Sequence, residues 1–285
     1  MYHRAMVKRF KVRPIKVILT FAMLLLAIIW MYPFIMSILT SLKTDTEIML
    51  NGPLTLPEEP TLTAYLKVWD ILDFKTLLLN SMILSAGGAA LAVIISLPPA
   101  YALSRFNIPG REIIFIILLT GMMVPQQTVI IPLWEILNRL DLLDTKGGLI
   151  LVHGVYGLPF VLLILRGFIV GIPVELEDAA RADGCSDFGI FRYIIVPLTM
   201  PAIAVAFTLN FINIWKEFFF ALVLLYNKSN FPVTVGLLQI KGNQYFSTWN
   251  LPAAGTIIAQ IPILILYILA YRWITKGIYA GAVKG

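Results

Sequence analysis

The sequence predicts an all-α membrane protein with six transmembrane helices, and three observations support this fold class. Of the 285 residues, 59% are hydrophobic and 13% are charged, whereas a soluble domain carries about 25% charged residues. The apolar residues are collected into six runs that reach the roughly 20 residues needed to cross a bilayer as a helix. The lysines and arginines concentrate next to alternate ends of these runs, as they do on the cytoplasmic side of a membrane.

The chain begins with a basic segment, residues 1–14, followed by the first apolar run, residues 15–40. This run is longer than the apolar region of a secretory signal peptide, and no small-residue cleavage pattern follows it. We therefore expect an uncleaved transmembrane helix preceded by a cytoplasmic tail. Residues 41–75 are polar and rich in proline, and we expect an extracytoplasmic loop with a short helix at about residues 64–72.

The membrane core is predicted at residues 76–275 and contains five further helices. Their approximate ranges are 76–103, 112–137, 147–170, 198–225 and 251–275. Prolines inside a span can kink or end its helix. Those of the second, third and fourth spans are Pro98, Pro99, Pro125, Pro132 and Pro159. A short tail, residues 276–285, completes the predicted organisation.

Six spans place both termini on the same side of the membrane. On this topology, 14 of the 22 lysines and arginines lie on the side of the termini, seven lie on the other side, and Lys216 falls within the fifth span. Because cytoplasmic segments carry the excess of positive charge, we expect both termini in the cytoplasm. The polar segment between the fourth and fifth spans, residues 173–197, is expected on the same side.

Residues 173–197 are predicted to form two short helices joined by a tight turn. Pro173 suits the first turn of a helix, and Gly184 suits the left-handed position that follows the end of one. Ser186 or Asp187 can cap the second helix. The spacing alone is equally compatible with a surface hairpin that has no partner.

Polar residues inside the apolar runs are the candidates for a solute path, because such residues usually face a cavity or a partner. They are Gln126, Gln127, Asn210, Asn213 and Glu217. Other interpretations stay open at this point. Lys216 can line the same path or extend to the outer interface. Glu217 can bond a neighbouring subunit, and the glutamines can join helices by hydrogen bonds. His153 is expected to be a packed residue rather than a ligand.

The sequence lacks the motifs of several enzyme classes. No G-x-x-x-x-G-K-[ST] phosphate loop, H-E-x-x-H zinc motif or nucleophile elbow occurs in it. With Cys185 as the single cysteine and two histidines in the chain, neither an intramolecular disulfide nor a metal cluster is expected. We therefore expect a chain that binds no ATP, metal or other cofactor, catalyses no covalent step and binds no nucleic acid.

The stretch E-D-A-A-R-A-D-G at residues 177–184, followed by an apolar and aromatic run that ends at Pro197, resembles the EAA loop of ATP-binding cassette (ABC) importer permeases. Asp178 stands where that loop usually has alanine. In this family the loop is cytoplasmic and docks into a cleft of the ATPase subunit. The residues to which the resemblance assigns this contact are Glu177, Asp178, Ala179, Ala180, Arg181, Asp183, Gly184, Phe188 and Phe191. Glu177 is expected to supply a charged contact, and Gly184 the turn between the two helices.

Two further stretches resemble the carbohydrate-uptake branch of these permeases. They are L-L-D-T-K-G-G-L-I-L at residues 142–151 and the C-terminal G-A-V-K-G at residues 281–285. Within this branch the similarity is greatest to the G-type subunit of maltose permeases. Members with sugar substrates often show W-N-E-F where this chain has W-K-E-F, at residues 215–218.

The resemblance implies a type I importer permease fold and a non-catalytic transport subunit in the lipid bilayer of a bacterial or archaeal plasma membrane. It implies a heterodimer with a second homologous permease, two ATPase subunits that bind ATP and Mg²⁺, and an extracytoplasmic sugar-binding protein. The EAA-like loop would then couple ATP hydrolysis to the translocation of a sugar or oligosaccharide. The alternatives are an importer for another polar solute such as glycerol-3-phosphate or a polyamine, an ion-coupled secondary transporter, and a membrane scaffold that transports nothing.

Overall fold

The structure, a computed structural model, describes residues 14–52, 54–240 and 249–282. The regular elements in these residues are all helical, as the sequence predicts. The basic tail predicted at residues 1–14 lies outside the described residues except for Pro14. The last three residues of the predicted C-terminal tail also lie outside them.

The chain forms long and short α-helices joined by brief turns. In order, the helices of the described residues are α1 (Pro14–Ser41), α2 (Asp45–Asn51), α3 (Thr63–Ile71), α4 (Phe74–Arg105), α5 (Arg111–Thr120), α6 (Gln126–Arg139), α7 (Lys146–Ile169), α8 (Glu175–Ala182), α9 (Asp187–Ile190), α10 (Val196–Trp215), α11 (Phe219–Leu224), α12 (Val233–Gly236) and α13 (Asn250–Ala282). Single 3₁₀ turns occur at Gly121–Met123, Lys228–Asn230 and Leu237–Gln239, and a π-helical turn occurs at Phe191–Ile195.

Five helical stretches in the described part of the chain are long and apolar enough to cross a membrane. They are Ile18–Ser41, Phe74–Arg105, Lys146–Ile169, Asp187–Trp215 and Asn250–Tyr271. They correspond to the predicted first, second, fourth, fifth and sixth spans. Helix α4 continues past Pro98 and Pro99 to Arg105, so these prolines do not end the second span.

The prediction of the third span as one helix over residues 112–137 is wrong. Helix α5 continues through a 3₁₀ turn to Met123, and α6 then departs at an angle of 96°. Pro125 explains the break, because the residue before a proline avoids the helical region, and Val124 is extended with ψ of 116°. The bent pair provides a sixth crossing if its two helices are counted as one span.

The predicted fifth span, residues 198–225, is displaced from the observed helix. The continuous helical stretch runs from Asp187 to Trp215 and passes through the π-helical turn, in which the Val196 N–H donates to the carbonyl of Phe191. The helix ends at Trp215, and residues 216–218 separate it from the short helix α11. A run that is continuously apolar in sequence is therefore broken in the structure.

Helices α4, α7 and α10 form the centre of the bundle. Glycines let their backbones approach closely, as small residues do in membrane helix pairs. A Cβ added to Gly88 would lie 2.8 Å from both His153 Cβ and Ile214 Cδ1, and one added to Gly154 would lie 2.5 Å from Leu91 Cδ2. This close packing fixes the positions of the polar side chains that α7 and α10 carry.

The segment predicted as a loop, residues 41–75, is folded over one end of the bundle. The Lys43 side chain is fully buried, and its Nζ donates to the Gly52 carbonyl over 3.0 Å and to Thr55 Oγ1 over 2.7 Å. At the start of α13, Asn250 Nδ2 donates to the Lys43 carbonyl over 3.1 Å. These bonds attach the segment to the end of the bundle at which α4 begins, whereas α8 lies where α4 ends.

Candidate functional site

The first candidate site is the pair of short helices α8 and α9, which is fastened to the C-terminal end of α4. Glu177 in α8 is 1% exposed, and its Oε1 lies 2.5 Å from Arg105 Nε. Its Oε2 accepts from the Tyr101 hydroxyl over 3.3 Å, and Arg105 Nη2 also donates to the Ile172 carbonyl over 2.7 Å. The expectation that Glu177 makes a charged contact with a partner is therefore wrong, because its carboxylate is buried against its own chain.

The turn between α8 and α9 has the geometry that the sequence predicts. Gly184 has a φ of +84°, which glycine adopts without the penalty that a Cβ would bring. Its N–H donates to the Arg181 carbonyl over 3.0 Å, and the Cys185 N–H donates to the Ala180 carbonyl over 2.9 Å, the bonding pattern of a Schellman turn. Ser186 then caps α9 by accepting from the Gly189 N–H over 3.2 Å.

The start of α8 differs from the prediction by two residues. Pro173 lies before the helix rather than in its first turn, since α8 begins at Glu175 and Val174 occupies the capping position. Glu175, Glu177 and Asp178 still lie in the first turn, where negative charge is favourable.

Most of the predicted contact residues in α8 and α9 are exposed. Those with exposed positions are Asp178, Ala179, Arg181, Asp183, Gly184 and Phe188, whereas Ala180 and Phe191 are partly buried. Phe188 is 69% exposed, and Leu176 and Tyr193 are exposed nearby. Large apolar side chains exposed at the polar end of a membrane protein are typical of a surface that binds another protein.

Arg181 joins the two short helices. Its Nη1 lies 3.1 Å from Asp178 Oδ1 in α8, and its Nη2 lies 3.4 Å from Asp187 Oδ1 in α9. Loss of hydration lowers the pKa of Arg181, but the hydrogen bond and charge of Asp187, together with Tyr101 and Glu177, outweigh this effect and raise the pKa. The hairpin is thus held by exposed ion pairs outside and by the buried Arg105–Glu177 pair inside.

The second candidate site is a cavity of about 320 Å³ bounded by α7, α10 and the breaks that follow α5 and α10. Its polar lining residues are Gln126, His153, Asn210, Asn213, Lys216 and Glu217. Four of the five residues predicted for a solute path are thus brought together. Gln127 is not among the lining residues and is exposed on α6. The aromatic side chains of Tyr156, Phe160 and Phe220 form part of the wall.

Glu217 shapes the break between α10 and α11. Its Oε1 accepts from the Phe220 N–H over 2.8 Å, and its Oε2 accepts from the Ala221 N–H over 3.4 Å. Thr234 Oγ1 donates to the Glu217 carbonyl over 2.9 Å, and His153 Nε2 lies 3.9 Å from Oε2. The carboxylate therefore lines the cavity while its hydrogen bonds begin α11.

Asn210 is the buried polar group of the cavity that keeps a free donor. It is 3% exposed, and its Nδ2 has no hydrogen-bond partner. It lies against Gly157, where a Cβ would come within 2.6 Å of Nδ2. A buried amide donor without a partner is costly, and a rotation of the side chain away from Gly157 would be needed to bring Nδ2 to a solute in the cavity.

Sequence reasoning did not place His153 or Tyr156 in this cavity, and it left Lys216 open between the solute path and the outer interface. The signal for His153 and Tyr156 was their position on α7, three residues apart and therefore on one face of the helix. The Tyr156 hydroxyl also donates to the Val124 carbonyl, which connects α7 to the bend after α5. In the described residues no group of His, Cys, Asp and Glu could hold a metal ion.

Comparisons with known proteins agree with this architecture. The family described as binding-protein-dependent transport system inner membrane component matches residues 88–279. The sulfoquinovosyl glycerol transport system permease of Agrobacterium fabrum is 32% identical over 255 residues, which are 90% of this chain and 89% of the relative. The arabinooligosaccharides transport system permease of Halalkalibacterium halodurans is 31% identical over 271 residues, which are 94% of this chain and 96% of the relative.

A solved structure extends the likeness to the fold. A chain of a bacterial ABC transporter involved in the import of the acidic polysaccharide alginate superposes with a TM-score of 0.79 at 26% identity. The superposition covers 93% of this chain and 98% of that chain. With the family match and relatives above 30% identity along nearly the whole sequence, this chain belongs to the inner membrane component family of binding-protein-dependent transport systems.

Proposed function

We propose that this chain is a permease subunit of an ATP-driven importer and lines part of the path of a sugar or oligosaccharide. The observation that carries the proposal is the polar cavity inside an otherwise apolar bundle. Polar and ionisable residues at such a place mark a solute path. Amide donors beside the rings of Tyr156, Phe160 and Phe220 suit a molecule with hydroxyl groups and apolar ring faces. Relatives that carry a sulfoquinovosyl glycerol and arabinooligosaccharides support a carbohydrate.

The hairpin of α8 and α9 is proposed to dock into the ATPase subunit. A short helix held in a groove is a common mode of protein recognition, and exposed Leu176 and Phe188 supply apolar contacts. Exposed acidic residues such as Asp178 and Asp183 are available for a charged contact, whereas Glu177 is buried. The excess of lysine and arginine on the side of the termini supports a cytoplasmic position for the hairpin.

Coupling is proposed to run from the hairpin to the cavity through α4 and α7. The Arg105–Glu177 pair attaches α8 to α4, and Arg105 also holds Ile172 next to the end of α7. Tyr156 lies 13 residues before Ile169, so α7 extends about 20 Å from the cavity to that end. Movement of the hairpin as the ATPase dimer closes would tilt these helices between two arrangements, as alternating access requires.

The other components of the importer are proposed from the family. They are a second homologous permease, two ATPase subunits that carry ATP and Mg²⁺, and an extracytoplasmic binding protein that delivers the solute. The chain itself is proposed to hydrolyse nothing, to bind no cofactor and to keep both termini in the cytoplasm. Because this chain is similar to the G-type subunit of maltose permeases, it is proposed to occupy the position of that subunit in the heterodimer.

Uptake measurements with two inhibitors test the proposal. Cells that express the complete transporter are expected to lose uptake of a radiolabelled oligosaccharide when ATP is depleted and to keep it when a protonophore collapses the ion gradient. The opposite pattern would favour an ion-coupled secondary transporter. Co-purification in mild detergent is expected to recover an ATPase and a second permease. Deletion of this chain is expected to abolish uptake, whereas uptake would be unchanged if the chain were only a scaffold. Uptake of glycerol-3-phosphate or a polyamine but no oligosaccharide would replace the carbohydrate assignment.

A further inference from the structure

One lysine that lines the cavity has no partner in the described part of the chain. Lys216 lies in the break between α10 and α11, is among the residues that line the cavity, and is exposed. Its side chain makes no ion pair or hydrogen bond with any described residue. Because a charge within a membrane bundle is stabilised only by water, a partner or a ligand, this ammonium is free to meet the solute.

The neighbouring carboxylate, Glu217, is not paired with Lys216. Both oxygens of Glu217 accept backbone N–H groups, from Phe220 over 2.8 Å and from Ala221 over 3.4 Å. The other ionisable groups that line the cavity are Tyr156 and His153, and His153 Nε2 lies 3.9 Å from Glu217 Oε2. The Glu217 carboxylate thus bonds the start of α11 and makes no ion pair with Lys216, so this lysine has no direct counter-ion among the described residues.

A second donor in the cavity is also unsatisfied. Asn210 Nδ2 is buried and has no hydrogen-bond partner. The polar lining therefore combines a lysine without an ion pair and a buried amide without a hydrogen-bond partner, while the oxygens of Glu217 accept bonds from their own chain. Such a set of groups binds an oxygen-rich anion better than a neutral molecule, because hydrogen bonds that involve a charged partner are stronger.

We propose that the cavity selects a carbohydrate that carries an anionic group, a carboxylate or a sulfonate, and that Lys216 determines this selectivity. The inference rests on the proposed function and names the substrate class of the same cavity. Lys216 pairs with the anionic group, Asn210 donates to an oxygen of the solute, and the aromatic wall contacts a sugar ring. The same ammonium disfavours a cationic solute such as a polyamine, since like charges repel at short distance.

The test uses the whole importer, reconstituted with its binding protein in vesicles loaded with ATP. The probes are matched pairs of neutral and acidic oligosaccharides of equal length, cellobiose with cellobiouronic acid and galactobiose with digalacturonate, and glycerol-3-phosphate as a small anion. The variants are Lys216→Gln and Lys216→Arg. Lys228→Gln serves as the control because Lys228 is exposed and does not line the cavity. Co-purification of the other subunits checks the assembly of each variant.

The expected result is ATP-dependent uptake of an acidic member and not of its neutral partner. Lys216→Gln should lower the initial rate for the acidic probe by about tenfold, the effect of losing one charged contact of about 1.4 kcal/mol, whereas Lys216→Arg and Lys228→Gln should keep it. Uptake restricted to glycerol-3-phosphate would assign the cavity to a small anion and overturn the carbohydrate part of the inference.

Three other outcomes would overturn the inference. If only the neutral members are transported, the proposed function stands and the anionic substrate class is wrong. If Lys216→Gln lowers uptake of both members equally or prevents assembly, Lys216 has a structural role or contacts another subunit. If no probe shows ATP-dependent uptake by the unaltered importer, the proposed function itself fails and the inference with it.

Discussion

Arg105 and Glu177 form a buried ion pair, with 2.5 Å between Nε and Oε1, although 72 positions separate them in the chain. Their side chains are 9% and 1% exposed. The pair connects the last turn of α4 with the first turn of α8. Since Arg105 also donates to the Ile172 carbonyl, one guanidinium holds the end of a long helix, the hairpin and the segment between α7 and α8 together.

Glu177→Ala should uncouple the hairpin from the membrane helices. Removing one member of a buried ion pair costs about 3–5 kcal/mol, because the other charge is left without a partner. We expect membrane insertion to be retained, ATP-dependent uptake to fall about tenfold or more, and the hairpin to become more sensitive to protease. Uptake is measured in intact cells. Limited proteolysis is measured in inside-out vesicles, in which the cytoplasmic face is accessible.

The matched control is Glu175→Ala, which removes an exposed carboxylate from the same turn of α8. It should leave uptake and protease sensitivity near those of the unaltered chain. Arg105→Lys should give an intermediate loss, because a lysine cannot bond Glu177 and the Ile172 carbonyl in the planar geometry of the guanidinium. Equal behaviour of the two glutamate variants would show that the buried pair has no part in coupling.

Gly184→Val should impair coupling through backbone strain alone. Gly184 has a φ of +84°, and no atom lies within 4 Å of the position of an added Cβ, so the substitution creates no clash. A β-branched residue in the left-handed region costs about 1–2 kcal/mol, and the turn between α8 and α9 should change shape. We expect ATPase activity of the purified complex to continue while uptake falls severalfold.

Gly184→Asn is the comparison that separates strain from size. Asparagine tolerates the left-handed conformation better than other residues with a side chain, so this variant should keep most of the uptake. If valine and asparagine at this position reduce uptake to the same extent, the left-handed turn is not what the hairpin requires.

The side of the membrane on which the hairpin lies is testable with the single cysteine. Cys185 lies in the turn between α8 and α9 and is partly exposed. If the hairpin is cytoplasmic, a membrane-impermeant maleimide should label it in inside-out vesicles and not in right-side-out vesicles. Met49→Cys in a Cys185→Ser background should label in the opposite preparation, because Met49 is 59% exposed at the other end of the bundle. Labelling of Cys185 from the outside would reverse the assigned topology.

The features that were predicted from sequence depend on local patterns. The runs of apolar residues predicted five of the spans. Gly184 predicted the turn of the hairpin, and Ser186 predicted the cap of α9. Gly184 and Ser186 act through backbone conformation and bonds within a few residues, so their roles are visible without knowledge of the fold.

The features that were missed depend on contacts between distant segments or on breaks that hydropathy does not register. The partner of Glu177 could not be identified, because Arg105 belongs to another helix and looks like any basic residue at the end of a span. The break after Trp215 contains no proline or glycine, and the residues around it are apolar, so the sequence pattern does not indicate it. Nor does the pattern indicate that Glu217 accepts the Phe220 N–H at the start of α11. The bend at Pro125 had a local signal, but a hydropathy window averages the two short helices into one span.

Gly157→Ala should reduce uptake by moving a side chain of the cavity. The added Cβ would lie 2.6 Å from Asn210 Nδ2 and 2.8 Å from its Oδ1, which is too close for contact. Because α7 and α10 are tightly packed here, the amide must rotate or the helices must separate, at a cost of about 1–3 kcal/mol for overpacking. Gly167→Ala, also in α7, is the control, since nothing lies within 4 Å of its added Cβ and alanine favours the helix by up to about 1 kcal/mol. We expect normal uptake for Gly167→Ala and a severalfold loss for Gly157→Ala.

The double variant Gly157→Ala with Asn210→Ala should remove the clash but not restore uptake if the Asn210 amide contacts the solute. Restored uptake would instead assign Asn210 to packing.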